Sequence, residues 1–150
     1  MKIGDKIPEV LGVDQDGNTV KASDFAGKKL IIYFYPKDNT PGCTAEACSL
    51  STGYGALKRA GYALLGVSKD SAASHQKFIA KHSLPFPLIA DTGTALNQAF
   101  GVWREKKMAG RTYMGTVRTT FIVDEQGTVV HIIDKVNTKD SANQILELNL

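Results

Sequence analysis

The apolar residues of this 150-residue chain fall in short, uninterrupted runs rather than in an alternating pattern. The run LIIYFY (Leu30–Tyr35) consists of β-forming residues, and such a run is typical of a central strand that is buried on both faces. YALLGVS (Tyr62–Ser68) predicts a second buried strand, and FPLIAD (Phe86–Asp91) predicts a third. These runs indicate a sheet at the core of the protein.

Segments of helical character follow these strands. TAEACSLSTGYGALKRAG predicts one helix that ends at Gly61. Its plausible inward positions are Ala45, Cys48, Leu50, Tyr54 and Leu57. Further helices are predicted over Asp70–Ser83, Thr94–Val102 and Thr138–Leu148, with Thr138 as the expected cap of the last one.

Two hairpins and a short turn complete the pattern. VDQDGNTV (Val13–Val20) has Asp-Gly between β-prone stretches and predicts an N-terminal hairpin. SDFAGK (Ser23–Lys28) predicts a short helical turn, and Val117–Val136 predicts a long hairpin that turns near Gly127. Strands that alternate with helices and end in a hairpin indicate an α/β fold, in which helices cover both faces of a mixed central sheet.

The composition is that of an ordinary globular protein. Hydrophobic residues make up 43% of the chain and charged residues 22%, which is enough for a core of its own. We therefore expect residues 1–150 to form a single domain. The net charge of +3 is spread along the sequence, so no nucleic-acid partner is expected.

The sequence also predicts a compartment. MKIGDKIPEV at the start contains no apolar run of signal-peptide length, and Leu30–Tyr35 is too short to cross a bilayer. We expect a cytoplasmic protein without a membrane partner. In a reducing cytoplasm, two cysteines are more often catalytic, redox-active or inert than joined in a structural disulfide.

Both cysteines lie in TPGCTAEAC (residues 40–48). In open α/β sheets, sites form beyond the carboxyl ends of the strands, and Cys43 follows the loop after Leu30–Tyr35. If Pro41 or Gly42 begins a helix, Cys43 lies in its first turn, where free N–H groups and the helix dipole favour a thiolate. A thiolate is the nucleophilic form of cysteine, and peroxides oxidise it to sulfenic acid.

The spacing of Cys43 and Cys48 limits what the pair can do. Five residues along an intact α-helix place the two Cα atoms roughly 8.7 Å apart, whereas a disulfide usually needs about 4.4–6.8 Å. Either the two thiols never bridge, or the helix unwinds locally when they do.

Other chemistry is less well supported by the sequence. Arg118 lies among β-forming residues and is a candidate cation for a thiolate site, although the signal is weak by itself. His75, His82 and His131 are scattered without the spacing of metal ligands, so no metal is expected. The glycines form no dinucleotide-binding fingerprint, and no organic cofactor is expected either.

The segment YPKDNTPGCTAEAC resembles the active-site segment of the peroxiredoxins, which are thiol peroxidases of thioredoxin-like fold. The family pattern is a proline, three residues, a threonine, two residues and a cysteine, and here these are Pro36, Thr40 and Cys43. A second cysteine five residues later is similar to the bacterioferritin-comigratory-protein (PrxQ) subgroup. The resemblance continues through FPLIAD, GVWREKKMAGRTYMG and VRTTFIVDEQG, and it implies a three-layer α/β/α fold.

The resemblance also implies roles for individual residues. Cys43 would attack hydrogen peroxide or an alkyl hydroperoxide, and Cys48 would resolve the sulfenic acid to an intramolecular disulfide. Thr40 would hydrogen-bond to the thiolate and the peroxide, Arg118 would polarise the O–O bond, and Pro36 would shield the pocket from water. Thioredoxin or a similar dithiol protein would reduce the disulfide, and a monomer or weak homodimer is expected.

Two other functions remain open at this point. A thiol–disulfide oxidoreductase acting on proteins is the first, although the chain has no C-x-x-C motif. The second is a redox-sensing switch protein that uses the disulfide to bind a partner. The stretch SLSTGYGAL after Cys48 departs from many relatives, because Gly53 and Gly55 are expected to weaken the helix there.

Overall fold

The computed structural model describes residues 1–150, and a five-stranded sheet lies at its centre. The strands of the protein are β1 (Val10–Val13), β2 (Thr19–Lys21), β3 (Lys29–Phe34), β4 (Tyr62–Ser68), β5 (Leu88–Ala90), β6 (Trp103–Met108), β7 (Arg111–Thr116), β8 (Thr119–Val123) and β9 (Val129–Ile133). Its α-helices are α1 (Pro41–Thr52), α2 (Tyr54–Arg59), α3 (Ala72–His82), α4 (Ala95–Ala99) and α5 (Ser141–Leu146), and Ala22–Phe25 form a 3₁₀ turn. No helix is long and apolar enough to cross a membrane.

The central sheet is mixed, with the strand order β5-β4-β3-β8-β9. Strand β3 occupies the middle, parallel to β4 and antiparallel to β8. Its residues from Leu30 to Phe34 are all buried, as the uninterrupted apolar run predicts. This arrangement, together with the β1–β2 hairpin, confirms the predicted thioredoxin-like α/β fold.

Two hydrophobic clusters lie on opposite faces of β3, because successive side chains of a strand point to opposite faces. Ile31 and Tyr33 belong to a cluster with residues of α1, α2, α3 and α5. Leu30 and Ile32 belong to a second cluster with residues of β1, β2 and α4. Helices therefore cover both faces, and the N-terminal hairpin shares one of them with α4.

The helix predicted to run without interruption to Gly61 is in fact two helices. Gly53 separates α1 from α2, and a Cβ atom at this position would overlap the Cβ of Ala142 in α5. Glycine is thus required for the close approach of the two helices. The prediction of inward positions was also wrong in part, because Ala45 and Cys48 are only half-buried.

Other differences are smaller. Helix α5 begins at Ser141, three residues after the predicted cap Thr138, and the residue at its N-cap is Asp140. The predicted helices over Asp70–Ser83 and Thr94–Val102 are real but shorter. The β6–β7 hairpin was not expected as an element, because its residues are mostly exposed and polar and give no core-facing pattern.

Candidate active site

Cys43 lies in the first turn of α1, beyond the carboxyl end of β3. Thr40 is the N-cap residue with extended backbone angles, and Pro41 is the first helical residue, where its missing N–H costs nothing. Only 2% of Cys43 is exposed. The unpaired N–H groups and positive dipole of this turn favour the thiolate form of a cysteine.

Arg118 contacts Cys43 although the two residues are 75 positions apart in the chain. Its Nη2 donates a hydrogen bond to Cys43 Sγ over 3.1 Å, and its Nη1 donates to Glu46 Oε1 over 2.6 Å. The contact follows from the topology: β8 pairs with β3 so that Thr119 lies opposite Phe34, which places Arg118 beside the end of β3. Burial alone would lower the pKa of Arg118, but Glu46 and Cys43 outweigh this effect. The pKa of Arg118 is therefore raised overall, and the guanidinium stays charged.

Glu46 is the functional candidate that the sequence did not reveal. It is fully buried one turn after Cys43, and its second oxygen, Oε2, has no hydrogen-bond partner. Burial raises the pKa of Glu46 to about 7, although Arg118 acts in the opposite direction. The available signal was the i, i+3 spacing from Cys43, which places both side chains on one face of α1.

Thr40 and Pro36 lie in the loop that joins β3 to α1. Thr40 Oγ1 donates its proton to the carbonyl oxygen of Lys37 over 2.8 Å, and it makes no hydrogen bond to Cys43. The oxygen of this hydroxyl accepts no hydrogen bond from the protein. Pro36 is half-buried in the same loop.

Lys106 is a second cation near the site. Its Nζ donates to the carbonyl oxygen of Thr116 over 2.9 Å in a partly buried position. Burial and the charge of Arg118 lower the pKa of Lys106, and Cys43 partly offsets them. Lys106 therefore adds to the positive potential around Arg118 and Cys43.

Cys48 occupies different surroundings on the same helix. Both cysteines are free thiols, and α1 is unbroken between them, so the roughly 8.7 Å separation of their Cα atoms holds in this state. Cys48 is half-buried and borders a cleft of about 500 Å³ between α1 and α5. Its Sγ lies 3.8 Å from Nδ1 of His82 in α3.

A buried network ties the loop before Cys43 to the rest of the protein. Asp38 Oδ1 accepts a hydrogen bond from Tyr35, and its Oδ2 lies 2.7 Å from Nδ1 of the fully buried His75. The backbone N–H of Asp38 donates to Asp70. Burial would raise the pKa of Asp38, but its hydrogen bonds to His75 and Tyr35 lower it overall. One carboxylate oxygen of Asp38, one of Asp70 and one ring nitrogen of His75 lie within 4.8 Å of one another. They anchor the loop, because Asp38 pairs with His75 and its backbone N–H donates to Asp70.

Known proteins resemble this chain in sequence and in fold. The sequence pattern of the AhpC/TSA family matches residues 3–132. Peroxiredoxin Bcp of Bacillus subtilis is 42% identical over 147 residues, which cover 98% of this chain and 94% of the relative. The structure of Xanthomonas campestris peroxiredoxin Q is similar with a TM-score of 0.85 and 40% identity, covering 91% of this chain and 86% of that one.

A second solved structure extends the comparison. The Xanthomonas campestris bacterioferritin comigratory protein, whose trapped intermediate and ligand complexes bear on its alkyl peroxide reduction activity, is 36% identical with a TM-score of 0.85. The match covers 96% of both chains. A family pattern over most of the sequence and relatives matched over nearly their whole length lead to one conclusion: the chain belongs to the AhpC/TSA family, and within it to the Bcp/PrxQ peroxiredoxins.

Proposed function

We propose that this thiol-dependent peroxidase uses Cys43 as the thiol that attacks the peroxide and Cys48 as the thiol that resolves the product. The observation that carries the proposal is the 3.1 Å hydrogen bond from Arg118 Nη2 to Cys43 Sγ. A guanidinium in contact with a buried sulfur at a helix N-terminus stabilises the thiolate, which is the form that reacts.

The first step consumes the peroxide. The Cys43 thiolate attacks the terminal oxygen of a hydroperoxide, the O–O bond breaks, and the leaving alkoxide or hydroxide takes up a proton. Cys43 is left as a sulfenic acid. Arg118 offers several donors in a fixed plane, so it can hold the thiolate and the developing negative charge on oxygen at the same time.

Thr40 and Pro36 complete the proposed pocket. The oxygen of the Thr40 hydroxyl would accept a hydrogen bond from the peroxide, while the hydroxyl itself donates to the Lys37 carbonyl. Pro36 limits the access of water in the loop that anchors the site. Only small substrates suit a sulfur that is 2% exposed, and this argues for a peroxide rather than a protein disulfide as the oxidant.

The second step needs a change of shape. Because α1 is intact, Cys43 and Cys48 form a disulfide only after part of the helix unwinds. The disulfide would then be reduced by thioredoxin or a similar dithiol protein. The two free thiols suit the cytoplasm, and we propose one domain over residues 1–150 that acts as a monomer or weak homodimer.

Peroxide turnover coupled to thioredoxin tests the proposal directly. The wild-type protein should consume hydrogen peroxide or an alkyl hydroperoxide continuously, and Cys43→Ser should not. Insulin reduction without peroxide consumption would indicate a thiol–disulfide oxidoreductase instead. Consumption of one equivalent of peroxide, with no further turnover despite excess reductant, would indicate a redox-sensing switch.

A further inference from the structure

We propose that His82 is a catalytic residue of the resolving step, in which its imidazole takes the proton from the Cys48 thiol. The inference rests on the proposed function, since it requires Cys48 to be the resolving cysteine. His82 Nδ1 lies 3.8 Å from Cys48 Sγ, and Cys48 makes no other side-chain hydrogen bond. A thiol attacks a sulfenic acid slowly unless a neighbouring base converts it to a thiolate.

The imidazole is held in place by its surroundings. His82 is the last residue of α3, and its ring packs edge-on against the fully buried ring of Phe78, with the ring centroids 5.2 Å apart. Ser83 ends the helix immediately afterwards in a left-handed conformation. Nδ1 of the ring faces Cys48. His82 is only half-buried, so the side chain keeps access to solvent.

The position of the two thiols on α1 decides which one moves. Cys43 belongs to the first turn, which has no side-chain cap because the Thr40 hydroxyl is bonded to Lys37. Helix ends without a cap unwind most easily, and Gly42 lowers the helix propensity of the same turn. Cys48 lies in the body of α1 and is in contact with α3 through His82. Unwinding of the first turn therefore brings Cys43 toward Cys48, and His82 stays beside the attacking sulfur.

The step balances without any further reactant. The Cys48 S–H bond gives its proton to Nδ1 of His82, and the thiolate attacks Sγ of the Cys43 sulfenic acid. The S–O bond of Cys43 breaks as the S–S bond forms. The departing hydroxide takes the proton from the imidazolium and leaves as water. The sulfenic acid is thereby reduced and the Cys48 thiol oxidised.

The reactivity of Cys48 can be measured apart from peroxide chemistry. In a Cys43→Ser background, Cys48 is the only thiol, and iodoacetamide reports how much of it is thiolate. His82→Asn should lower the alkylation rate by about 10-fold or more, and His82→Gln should do the same. His131→Asn is the matched control, because His131 lies in β9 and makes no hydrogen bond to a cysteine. Equal alkylation rates in the His82 and His131 variants would overturn the proposal.

Single-turnover kinetics then test the resolving step with both cysteines present. In His82→Asn, the first oxidation of Cys43 should be unchanged, while disulfide formation should slow by about 10²-fold, the usual scale of general-base catalysis. Added imidazole should restore part of the rate in His82→Ala. An unchanged or faster disulfide step would show that His82 only tethers Cys48 and would refute the base role. If peroxide fails to oxidise Cys43 at all, the proposed function fails and the resolving role of His82 fails with it, whereas the alkylation result still decides whether His82 activates Cys48.

Discussion

Cys43 and Cys48 lie on one helix, five residues apart, yet their surroundings differ in almost every respect. Cys43 is buried in the first turn of α1 and receives a hydrogen bond from a charged guanidinium. Cys48 is half-buried in the body of the helix, borders an open cleft and faces an imidazole. The first site places its sulfur against a positive charge, while the second places its sulfur beside an imidazole that can take up a proton. Two different tasks can thus be assigned to the same chemical group by its environment alone.

Removing either thiol should have the largest effect and should separate the two roles. Cys48→Ser should keep one rapid oxidation of Cys43 but lose turnover with a dithiol reductant, because nothing converts the sulfenic acid to a disulfide. Cys43→Ser should show neither, since a serine hydroxyl stays protonated at neutral pH. Stopped-flow oxidation and mass spectrometry of the products distinguish the steps. Full turnover by Cys43→Ser would reverse the assignment.

Changes at Arg118 should weaken the contrast between the two thiols. Arg118→Met removes the donor to Cys43 Sγ, and the rate of peroxide attack should fall by roughly 10²-fold, in line with the loss of one transition-state donor. Arg118→Lys should recover only part of the rate, because an ammonium cannot contact Glu46 and Cys43 with two coplanar donors. Arg111→Lys, on the exposed hairpin, is the control, and an unchanged rate of peroxide attack in Arg118→Met would remove Arg118 from the site.

Glu46 should make the Cys43 side of the helix sensitive to pH. A buried carboxyl whose pKa is raised from 4.5 to about 7 keeps its proton longer in the folded state, so stability is lost as the pH rises through this window. The difference corresponds to at most about 3 kcal/mol. The side chain in Glu46→Gln cannot ionise, so the free energy of unfolding of this variant should depend less on pH. Urea denaturation at pH 5 and pH 7.5 measures the free energy of unfolding at each pH. An equal change in this free energy for the wild type and Glu46→Gln would contradict the prediction.

The two glycines beyond Cys48 should give the smallest effects, and they should differ from each other. Gly53→Ala forces a methyl group against Ala142 of α5 and should destabilise the protein by about 1–3 kcal/mol, as is usual for overpacking. Gly55 has only the end of the Arg59 side chain nearby, so Gly55→Ala should stabilise α2 by at most about 1 kcal/mol. Since Gly53 already separates α2 from α1, Gly55→Ala should leave disulfide formation unchanged. Thermal unfolding and single-turnover assays of the pair test this expectation.

Some of this molecule could be predicted from short stretches of sequence. The apolar run before Tyr35 indicated the central strand, and Pro41-Gly42 indicated a helix that begins just before Cys43. Both features depend on local preferences: a continuous apolar run suits a strand buried on two faces, and proline is accommodated in a first helical turn. The resemblance around Cys43 also led to the correct family.

The sequence suggested Arg118 for the Cys43 site, but only the tertiary structure showed which side chains contact the two thiols. Arg118 contacts both Glu46 and Cys43, and His82 contacts Cys48. The residues of each contacting pair are separated by 34 to 75 positions in the chain. No periodicity in a single segment reports such contacts, because they depend on which strands pair and how helices pack on the sheet. The break at Gly53 has the same origin, since it depends on how closely α5 approaches α1. The sequence by itself determined the central strands, the start of α1 and the nucleophile candidate. Chain topology determined which polar and charged side chains distinguish one cysteine from the other, because those contacts depend on strand pairing and helix packing.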